Sequence, residues 1–379
     1  MNLSTYKAMH FEIIENENGF YSLEPVWNDL LSHSGSDSIF STFEWNSTYW
    51  DHFKQNSRLR IYVFYKNGKV VGILPLMLRR TELFRELTVL AAGNRDYEDF
   101  IILPEFQQEI FTQFFSSIYA QNDWDVLAIN RLREDSPNFV FLRDHCSNHN
   151  GFHSKISGIT AVIPIDRPWP SYVKNLPKAI RSDPARQMRR LKETLKEVEY
   201  KNITDIQQIQ VLFDKLVDFH RLRRREEGNR SVFRDSRKLA FHESIINRLQ
   251  EKGWLHFSAL TSGEYILALH YGFLYHGIYY YFVPVFNCDF SNYSVGKILM
   301  TSLLEQSFNR KDTAFDLLFG DEDYKRMLNP VIRNLYSFSY FRPSVAGRLA
   351  SWWWIEFRPR IKSVSGHIKP VFKQLTTLK

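Results

Sequence analysis

The sequence predicts an α/β protein with mixed sheets, in which two units of similar pattern follow one another. Its 379 residues are enough for two domains of about 150–200 residues each. Hydrophobic residues make up 44% and charged residues 24%, which is typical of a folded chain. Aromatic residues reach 16%, and many fall in β-rich runs, which favours large sheets with a substantial core.

The first half alternates strands with helices. The Lys66-Asn67-Gly68-Lys69 segment separates two β-rich runs and predicts a hairpin. Pro75, inside the second run, predicts an irregularity or an edge because proline donates no backbone hydrogen bond. The predicted elements are a strand at Phe11–Ile14, helices at Leu23–Leu31 and Ser41–Phe53, the hairpin strands Leu59–Tyr65 and Val70–Arg79, a strand at Phe100–Leu103, a helix at Gln107–Ala120 and a strand at Val126–Asn130.

The second half repeats this order of helices, hairpin, strand, helix and strand, without repeating the residues. Pro164, Pro168 and Pro170 follow a strand and mark the change of domain. The predicted elements are a strand at Thr160–Ile165, helices at Trp169–Leu176, Arg181–Val198, Ile206–Glu226 and Asp235–Gln250, strands at Trp254–Leu260, Tyr265–Leu274 and Gly277–Phe286, a helix at Tyr293–Phe308 and a strand at Ala314–Phe319. We therefore predict domains at residues 1–165 and 166–345, followed by a tail at residues 346–379.

The composition excludes several classes of protein. Cys146 and Cys288 lie far apart and share no motif with histidine, so neither a disulfide framework nor a zinc site is expected. The first eleven residues lack the pattern of a secretory signal, and no window is long and apolar enough to span a membrane. We therefore expect a cytoplasmic protein without a metal.

The tail carries most of the positive charge. Residues 346–379 hold seven basic residues and one acidic residue, which gives +6 of the total net charge of +7. Because the remaining chain is nearly neutral, no nucleic-acid partner is expected. Trp352, Trp353 and Trp354 stand beside these basic residues, so the tail is either a peripheral membrane contact on the inner face or a packed C-terminal helix.

The segment from Tyr279 to Gln306 predicts a strand, a polar turn and the start of a helix. A helix N-terminus presents backbone N–H groups to an anion, and the helix dipole adds attraction. Gly296 allows close approach of the backbone, and Lys297 adds a positive charge. The turn is thus either a pyrophosphate-binding loop or an ordinary capped helix start.

The order of several short motifs resembles the GNAT (Gcn5-related N-acetyltransferase) branch associated with cellulose and exopolysaccharide biosynthesis, often called CelD-type acetyltransferases. The resemblance spans roughly residues 10–340. The motifs that carry it are Phe43-Glu44-Trp45, Gly68–Leu76, Asp96 with Asp99, Arg186–Leu191, His220-Arg221 with Arg224-Arg225 and Gly228, Ser231-Val232-Phe233, the Tyr293–Leu299 turn and Phe319–Lys325.

The resemblance implies two tandem GNAT-like acyltransferase domains that use acetyl-CoA or another acyl-CoA as donor. It makes the turn before Ile298 the counterpart of the pyrophosphate loop. The donor-binding residues that it implies are Asn292, Tyr293, Ser294, Val295, Gly296 and Lys297. The acceptor would be a saccharide or an amine, such as a precursor of the cell envelope or of an exopolysaccharide.

Acyl transfer requires a base for the acceptor and a proton for the leaving thiolate. His220, near the end of a predicted helix, is a candidate base or a helix-terminal residue that favours the dipole. Asp321, Asp323, Tyr324 and Lys325 directly follow a strand, where functional groups gather in α/β sheets. We predict catalytic roles for His220, Asp323 and Tyr324, and substrate binding by Asp321 and Lys325.

The cluster Arg221, Arg223, Arg224 and Arg225 can hold phosphate or carboxylate groups bidentately. It can equally form a solvated helix face with local ion pairs. We predict substrate binding by Arg224 and Arg225. In the first half, Asp96, Tyr97 and Asp99 occupy a similar loop, and we expect that half to be degenerate and to buttress the second.

Two other functions fit the same pattern. The tandem design also resembles the Fem-type transferases, which use aminoacyl-tRNA on cell-wall precursors. Those often carry a coiled-coil insertion, and no sustained heptads occur here. A non-catalytic partner of a polysaccharide synthase is the third reading.

Overall fold

The computed structural model describes residues 8–149, 151–195 and 197–357. The basic tail residues from Arg358 onward therefore lie outside the described residues.

Five α-helices and seven strands make up the first part of the chain as described. The strands are β1 (His10–Ile14), β2 (Ser57–Lys66), β3 (Lys69–Arg80), β4 (Arg85–Val89), β5 (Ile101–Ile102), β6 (Val126–Arg133) and β7 (Phe152–Pro164). The helices are α1 (Glu17–Tyr21), α2 (Glu24–His33), α3 (Phe43–Phe53), α4 (Gln107–Ala120) and α5 (Pro137–Asn148).

The second part repeats the pattern of helices followed by a strand meander. Its helices are α6 (Trp169–Lys174), α7 (Lys178–Thr194), α8 (Ile206–Glu226), α9 (Ser236–Glu251), α10 (Val295–Arg310), α11 (Asp323–Arg326) and α12 (Val345–Ser351). Its strands are β8 (Val198–Ile203), β9 (Leu255–Ser262), β10 (Tyr265–Tyr275), β11 (Ile278–Phe286), β12 (Ala314–Phe319) and β13 (Val331–Phe341).

Within the described ranges, thirteen strands form one mixed sheet. Twelve of them follow the order β1-β2-β3-β4-β6-β13-β7-β12-β11-β10-β9-β8, and β5 pairs with β3. The predicted α/β fold with mixed strands is confirmed. Each half contributes a run of antiparallel strands, and the two runs meet in the middle of the sheet.

The middle of the sheet is built by an exchange of strands. β13, from the end of the second half, lies between β6 and β7. β7, from the end of the first half, pairs on its other side with β12. Each half is thus completed by a strand from the other, although the predicted domain limits at residues 165 and 345 remain a prediction.

A buried aromatic cluster joins the two halves above the sheet. Trp45 of α3 is fully buried, and its ring lies 5.5 Å from Phe241, 5.6 Å from Phe273 and 5.8 Å from Phe282. The sequence predicts one apolar face on this helix, whereas the first eight residues of α3 are all buried, because α3 packs between the sheet and α9.

Turn and proline signals in the sequence correctly predicted the hairpin between β2 and β3 and the irregularity within β3. Asn67 and Gly68 have φ of 52° and 76°, the left-handed values that a tight hairpin requires. Pro75 lies where the second partner of β3 changes from β5 to β4, so its missing N–H falls at a break in the ladder. Two predictions were wrong in extent: the helix expected over Arg181–Val198 runs from Lys178 to Thr194, and the strand expected over Thr160–Ile165 runs from Phe152 to Pro164.

Candidate functional site

A wedge opens in the sheet between the parallel strands β11 and β12. They pair only at Ile278–Tyr280 with Ala314–Asp316, after which β11 continues to Phe286. Leu318 adopts a left-handed φ of 64° and donates its N–H to Asp316 Oδ1 at 2.8 Å, and the register of β12 with β7 shifts here. This bulge turns β12 away and leaves the end of β11 paired with β10 on one side and without a strand on the β12 side.

The loop that follows β11 leads directly into α10. Residues Cys288–Tyr293 form a short 3-10 helix, whose start is capped by Asn287 Oδ1 accepting the N–H of Asp289 at 3.1 Å. Ser294 then takes a left-handed φ of 52°, and α10 begins at Val295. The helix expected from Tyr293 therefore begins two residues later, after a sharp change of direction.

The N-terminus of α10 points its first amides toward this loop. The N–H groups of Lys297 and Ile298 donate to Ser294 O at 2.9 and 3.1 Å, and the amides of Val295 and Gly296 precede these first helical bonds. A Cβ at position 296 would lie 3.2 Å from Phe286 Cδ1. A side chain at this position would have to displace the Phe286 ring slightly, because the helix start approaches the end of β11 closely.

Basic side chains surround this helix start. The guanidinium of Arg223, from α8, lies 4.9 Å from the centre of the Phe286 ring. That of Arg190, from α7, lies 6.0 Å from the centre of the Tyr293 ring. Together with Lys297, they bring three cations to one helix N-terminus, the arrangement that attracts phosphate groups.

Tyr324 belongs to the same region as Arg223. Its side chain is half-buried against the core that contains Tyr281. Burial and the neighbouring Glu322 raise the pKa of Tyr324, and Arg223 acts in the opposite direction. The hydroxyl is therefore protonated at neutral pH and is able to donate a proton or a hydrogen bond.

The remaining residues of the acidic loop have mostly structural contacts. The carboxylate of Asp321 accepts two hydrogen bonds from Arg326, at 2.5 and 2.8 Å. Lys325 is buried, donates to the carbonyls of Leu318 and Phe319, and pairs with Glu322 at 2.9 Å. Asp323 is the exposed first residue of α11.

His220 lies in the last two turns of α8, six residues before its last residue. Its Nδ1 is 2.8 Å from Ser231 Oγ, and its ring packs edge-on against Phe233. Burial, aided by Arg224 and Arg223, lowers the pKa of His220 to about 4. The imidazole is therefore neutral at pH 7, as a general base requires.

The two predicted substrate-binding arginines have different surroundings. Arg224 pairs with Glu227 at 3.1 Å. Arg225 lines an open cavity of about 530 Å³ on the other side of α8. The structure thus brings the residues 292–297, Arg223 and Tyr324 together, and it places His220 between Arg223 and the cavity. Asp321 instead pairs with Arg326, and Lys325 donates to backbone carbonyls.

The equivalent wedge of the first half is filled. β4 and β6 also pair in parallel over three residues, Glu86–Thr88 with Val126–Ala128. Beyond them, Glu98 donates its N–H to Arg131 O at 3.4 Å and accepts the N–H of Asn130 at 2.7 Å. Glu98 is buried, whereas no residue of the corresponding segment Cys288–Tyr293 is buried.

A buried polar network connects residues 95–99, which form the plug of this first wedge, to the second half. The hydroxyl of Tyr97 contacts both carboxylate oxygens of Asp316, and Arg131 covers the ring of Phe319 at 4.2 Å. Burial raises the pKa of Asp96 to about 6, that of Glu98 to about 7 and that of Asp99 to about 6. The loop of Asp96, Tyr97 and Asp99 therefore packs against β12.

Sequence reasoning missed several of these residues. Arg190 was seen only as part of a motif, and Asp316 and Phe286 only as strand residues. A left-handed Leu318 has no sequence signal, since leucine rarely adopts that conformation. Among the described residues, no group of three or more His, Cys, Asp or Glu is placed to hold a metal ion. No helix in the described ranges is long and apolar enough to cross a membrane.

Comparison with known proteins agrees with this geometry. Residues 178–326 match the family model described as an acetyltransferase (GNAT) domain. The match includes α7, the strand pair with the wedge, the 292–297 turn and α11. No curated protein matches the sequence.

Three solved structures show the extent of the fold. The alignment with the crystal structure of FemX covers 92% of this chain and 100% of the FemX chain, with a TM-score of 0.63 and 11% identity. A tandem GNAT protein from the clavulanic acid biosynthesis pathway covers 89% of this chain and 100% of its own, with a TM-score of 0.50 and 13% identity. The L-PGS structure from Bacillus licheniformis covers 87% of this chain and 93% of its own, with a TM-score of 0.50 and 12% identity.

At these identities the likeness concerns the fold. The predicted tandem GNAT-like architecture is confirmed, because a tandem GNAT protein aligns along its whole length. The narrower CelD-type resemblance stays a prediction.

Proposed function

We propose that the second half transfers an acyl group from an acyl-CoA, such as acetyl-CoA, to an amine or hydroxyl acceptor. One observation carries the proposal. The wedge between β11 and β12 is open and ends at the N-terminus of α10, whereas the matching wedge of the first half is filled by its own chain. The GNAT-domain match to residues 178–326 supports the same class of reaction.

The donor would lie with its pyrophosphate against the turn from Asn292 to Lys297. The first amides of α10 supply hydrogen bonds, and Arg190, Arg223 and Lys297 supply positive charge. The pantetheine arm would then extend along the exposed edge of β11, whose residues beyond Tyr281 are mostly half-buried. In this position the thioester reaches the side of the sheet where Tyr324 lies.

In the reaction, the acceptor's nitrogen or oxygen attacks the thioester carbonyl. A new C–N or C–O bond forms, the C–S bond breaks, and the acceptor's proton ultimately reaches the departing thiolate. We assign His220 as the base that accepts the proton, because its imidazole contacts Ser231 and lies on α8 between Arg223 and the open cavity lined by Arg225. Tyr324, which remains protonated, would donate to the thiolate. Asp323, beside it and exposed, would help to hold the acceptor.

The first half, by this proposal, is a degenerate unit that supports the second. Glu98 and Arg95 occupy the space that a donor would need, and both are buried. Tyr97 reaches across to Asp316, the last residue of β12 that pairs with β11. The plug therefore supports the strand that forms one wall of the open wedge.

The acceptor proposed is a saccharide or another cell-envelope precursor, met at the inner face of the membrane. Val345, Leu349 and Trp352 follow one another at helical spacing and are 69%, 58% and 56% exposed. The other face of α12 packs through Ala350 against Val126 and Phe341. An apolar stripe followed by a basic tail fits an interfacial contact with anionic lipid.

The fold shared with FemX keeps a second candidate, a Fem-like transferase that takes its acyl group from aminoacyl-tRNA. The donor distinguishes the two candidates. Both differ from the non-catalytic partner of a polysaccharide synthase, which would bind neither donor.

The test is calorimetric titration of the full chain with acetyl-CoA and with longer acyl-CoAs, at two salt concentrations. We expect micromolar binding that weakens with salt, and its loss in Gly296→Trp, because the new side chain would fill the space beside Phe286. Ser236→Trp places the same bulk at the exposed start of α9 and serves as the control. Binding of aminoacyl-tRNA but of no acyl-CoA would replace the proposal with the Fem-like candidate.

A further inference from the structure

An arginine-lined cavity lies on the side of α8 that faces away from the donor loop. It has a volume of about 530 Å³ and opens to solvent, a size in the range of ligand pockets. The cavity is lined by Arg221, Arg225, Asn229, Ser231 and Arg234. Residues 221 and 225 are one turn apart, and both lie about 200° around the helix from Arg223. The cavity and the donor loop therefore use opposite faces of one helix.

The end of α8 builds the floor of this cavity. Gly228 has a left-handed φ of 69°. The N–H of Asn229 donates to Arg224 O at 2.7 Å, and that of Gly228 donates to Arg225 O at 3.0 Å. These two bonds form a Schellman motif, which ends the helix and reverses the chain. The reversal brings Ser231 and Arg234 back beside the last turns of the helix.

The lining is fixed by hydrogen bonds around Ser231. Its buried Oγ accepts the N–H of Phe233 at 3.1 Å and contacts Nδ1 of His220 at 2.8 Å. Arg221 donates to Phe233 O at 2.8 Å, which holds its guanidinium at the wall. The cavity thus shares Ser231 with the residue that we assign as the base.

The charge of the cavity is positive and largely uncompensated. Two nearby acids are engaged elsewhere: Glu227 pairs with Arg223 and Arg224, and Asp235 caps α9. None of the five lining residues is acidic. Among the described residues, Arg225 and Arg234 are in no ion pair that the structure shows, so a ligand anion would meet two guanidinium groups without competition from a carboxylate.

We propose that this cavity is the acceptor subsite and that it binds a phosphoryl group, such as the phosphate or diphosphate of an activated or lipid-linked saccharide. Three guanidinium groups suit a tetrahedral oxyanion with several acceptor oxygens better than a single carboxylate. The contact through Ser231 would place the rest of the acceptor beside His220. The acceptor role rests on the proposed function, whereas the affinity for a phosphoryl group can be tested without it.

The test is calorimetric titration of the full chain with inorganic pyrophosphate, with and without saturating acetyl-CoA. We expect binding that persists with acetyl-CoA present and that falls roughly tenfold or more in Arg225→Gln and in Arg234→Gln, since each variant removes a charge-assisted contact. Arg167→Gln is the matched control, because it removes an exposed arginine that pairs with Asp166 elsewhere on the surface. It should retain affinity within about twofold.

The inference would be overturned by a lack of pyrophosphate binding, by equal affinity in all three variants, or by equally tight binding of malonate. Loss of all pyrophosphate binding when acetyl-CoA is added would also do so, because it would place the anion in the donor loop. If acetyl-CoA itself does not bind, the proposed function fails, and the titration without it still decides the cavity. A second arm with vesicles that contain phosphatidic acid distinguishes a lipid phosphate from a soluble one.

Discussion

The hydroxyl of Tyr97, from the first half, lies 2.7 and 2.9 Å from the two carboxylate oxygens of Asp316, from the second half. Asp316 is 1% exposed and also accepts the N–H of Leu318, the residue whose left-handed backbone turns β12 away from β11. Arg133 lies 3.9 Å from the same carboxylate. The opening of the wedge in one half is therefore stabilised by a side chain of the other.

Removing this hydroxyl should destabilise the protein. In Tyr97→Phe, the buried Asp316 loses a hydrogen-bond donor, and we expect the free energy of unfolding to fall by about 1–3 kcal/mol. Chemical denaturation measures the loss. Tyr119→Phe removes a hydroxyl that contacts His145 near the surface and should change stability by less than about 0.5 kcal/mol. Equal losses in the two variants would show that the hydrogen bond from Tyr97 to Asp316 does not stabilise the protein more than a surface contact does.

The Schellman motif at the end of α8 gives a second prediction. Gly228→Ala places a Cβ in a left-handed backbone and should cost about 1 kcal/mol of stability. It should also weaken pyrophosphate binding, because the reversed chain carries Ser231 and Arg234. Gly228→Asn is the control, since asparagine tolerates this conformation better. The interpretation fails if alanine and asparagine have the same effect on both measurements.

The third prediction concerns acid sensitivity. The pKa of His220 is about 4 in the folded protein and near 6.5 when it is unfolded, so the unfolded chain takes up the proton first. Its contribution to stability is fully present above pH 6.5 and is lost as pH falls toward 4. His220→Asn keeps a hydrogen-bonding group toward Ser231 but does not titrate.

Urea unfolding of the wild type and of His220→Asn at pH 4.5, 5.5 and 7 checks this prediction. The stability difference between the two proteins should shift in favour of the variant as pH falls. A difference that does not change with pH would mean that His220 is not held neutral by burial. Asp96 and Glu98 have raised pKa values, so their contribution to stability increases as pH falls. Because both proteins contain these groups, their contributions cancel in the stability difference.

The fourth prediction tests the apolar stripe of α12. Replacing Val345 and Leu349 with serine should lower co-sedimentation with anionic vesicles by roughly tenfold or more, because each buried aliphatic side chain contributes about 1.5–3 kcal/mol. The matched control replaces Val211 and Leu83, which are 65% and 60% exposed elsewhere on the surface. Equal sedimentation of both double variants and the wild type would rule out this face as the membrane contact.

The sequence predicted the regular elements where the signal is local. α4, α8 and β12 begin and end within about one residue of their predicted limits, because apolar periodicity and caps such as Asp205 define them. β4 and β8 were not predicted. β4 buries Glu86 against Arg79, and β8 is a largely polar strand at the sheet edge, so neither shows the alternation of a half-buried strand.

The site, too, was predicted only where its signal is local. The 292–297 turn and the arginine cluster can be recognised in the sequence, whereas their relative positions depend on tertiary contacts. Opposite faces of α8 separate Arg223 from Arg225, and the chain reversal at Gly228 adds Arg234. The sequence motif around Lys325 would read the same if this lysine bound a substrate. In the structure, its ammonium group donates to two backbone carbonyls instead.

The exchange of β7 and β13 has a consequence for synthesis on the ribosome. β6 pairs with β4 early, but its second partner, β13, exists only when residues 331–341 have been made, some two hundred residues after β6 is translated. Until then the nascent first half exposes a strand edge, the kind of surface that pairs with other chains. A premature stop codon just before residue 331 would spare the donor loop and still leave both halves unfinished. Chaperone dependence should therefore end late, when the last strand leaves the exit tunnel.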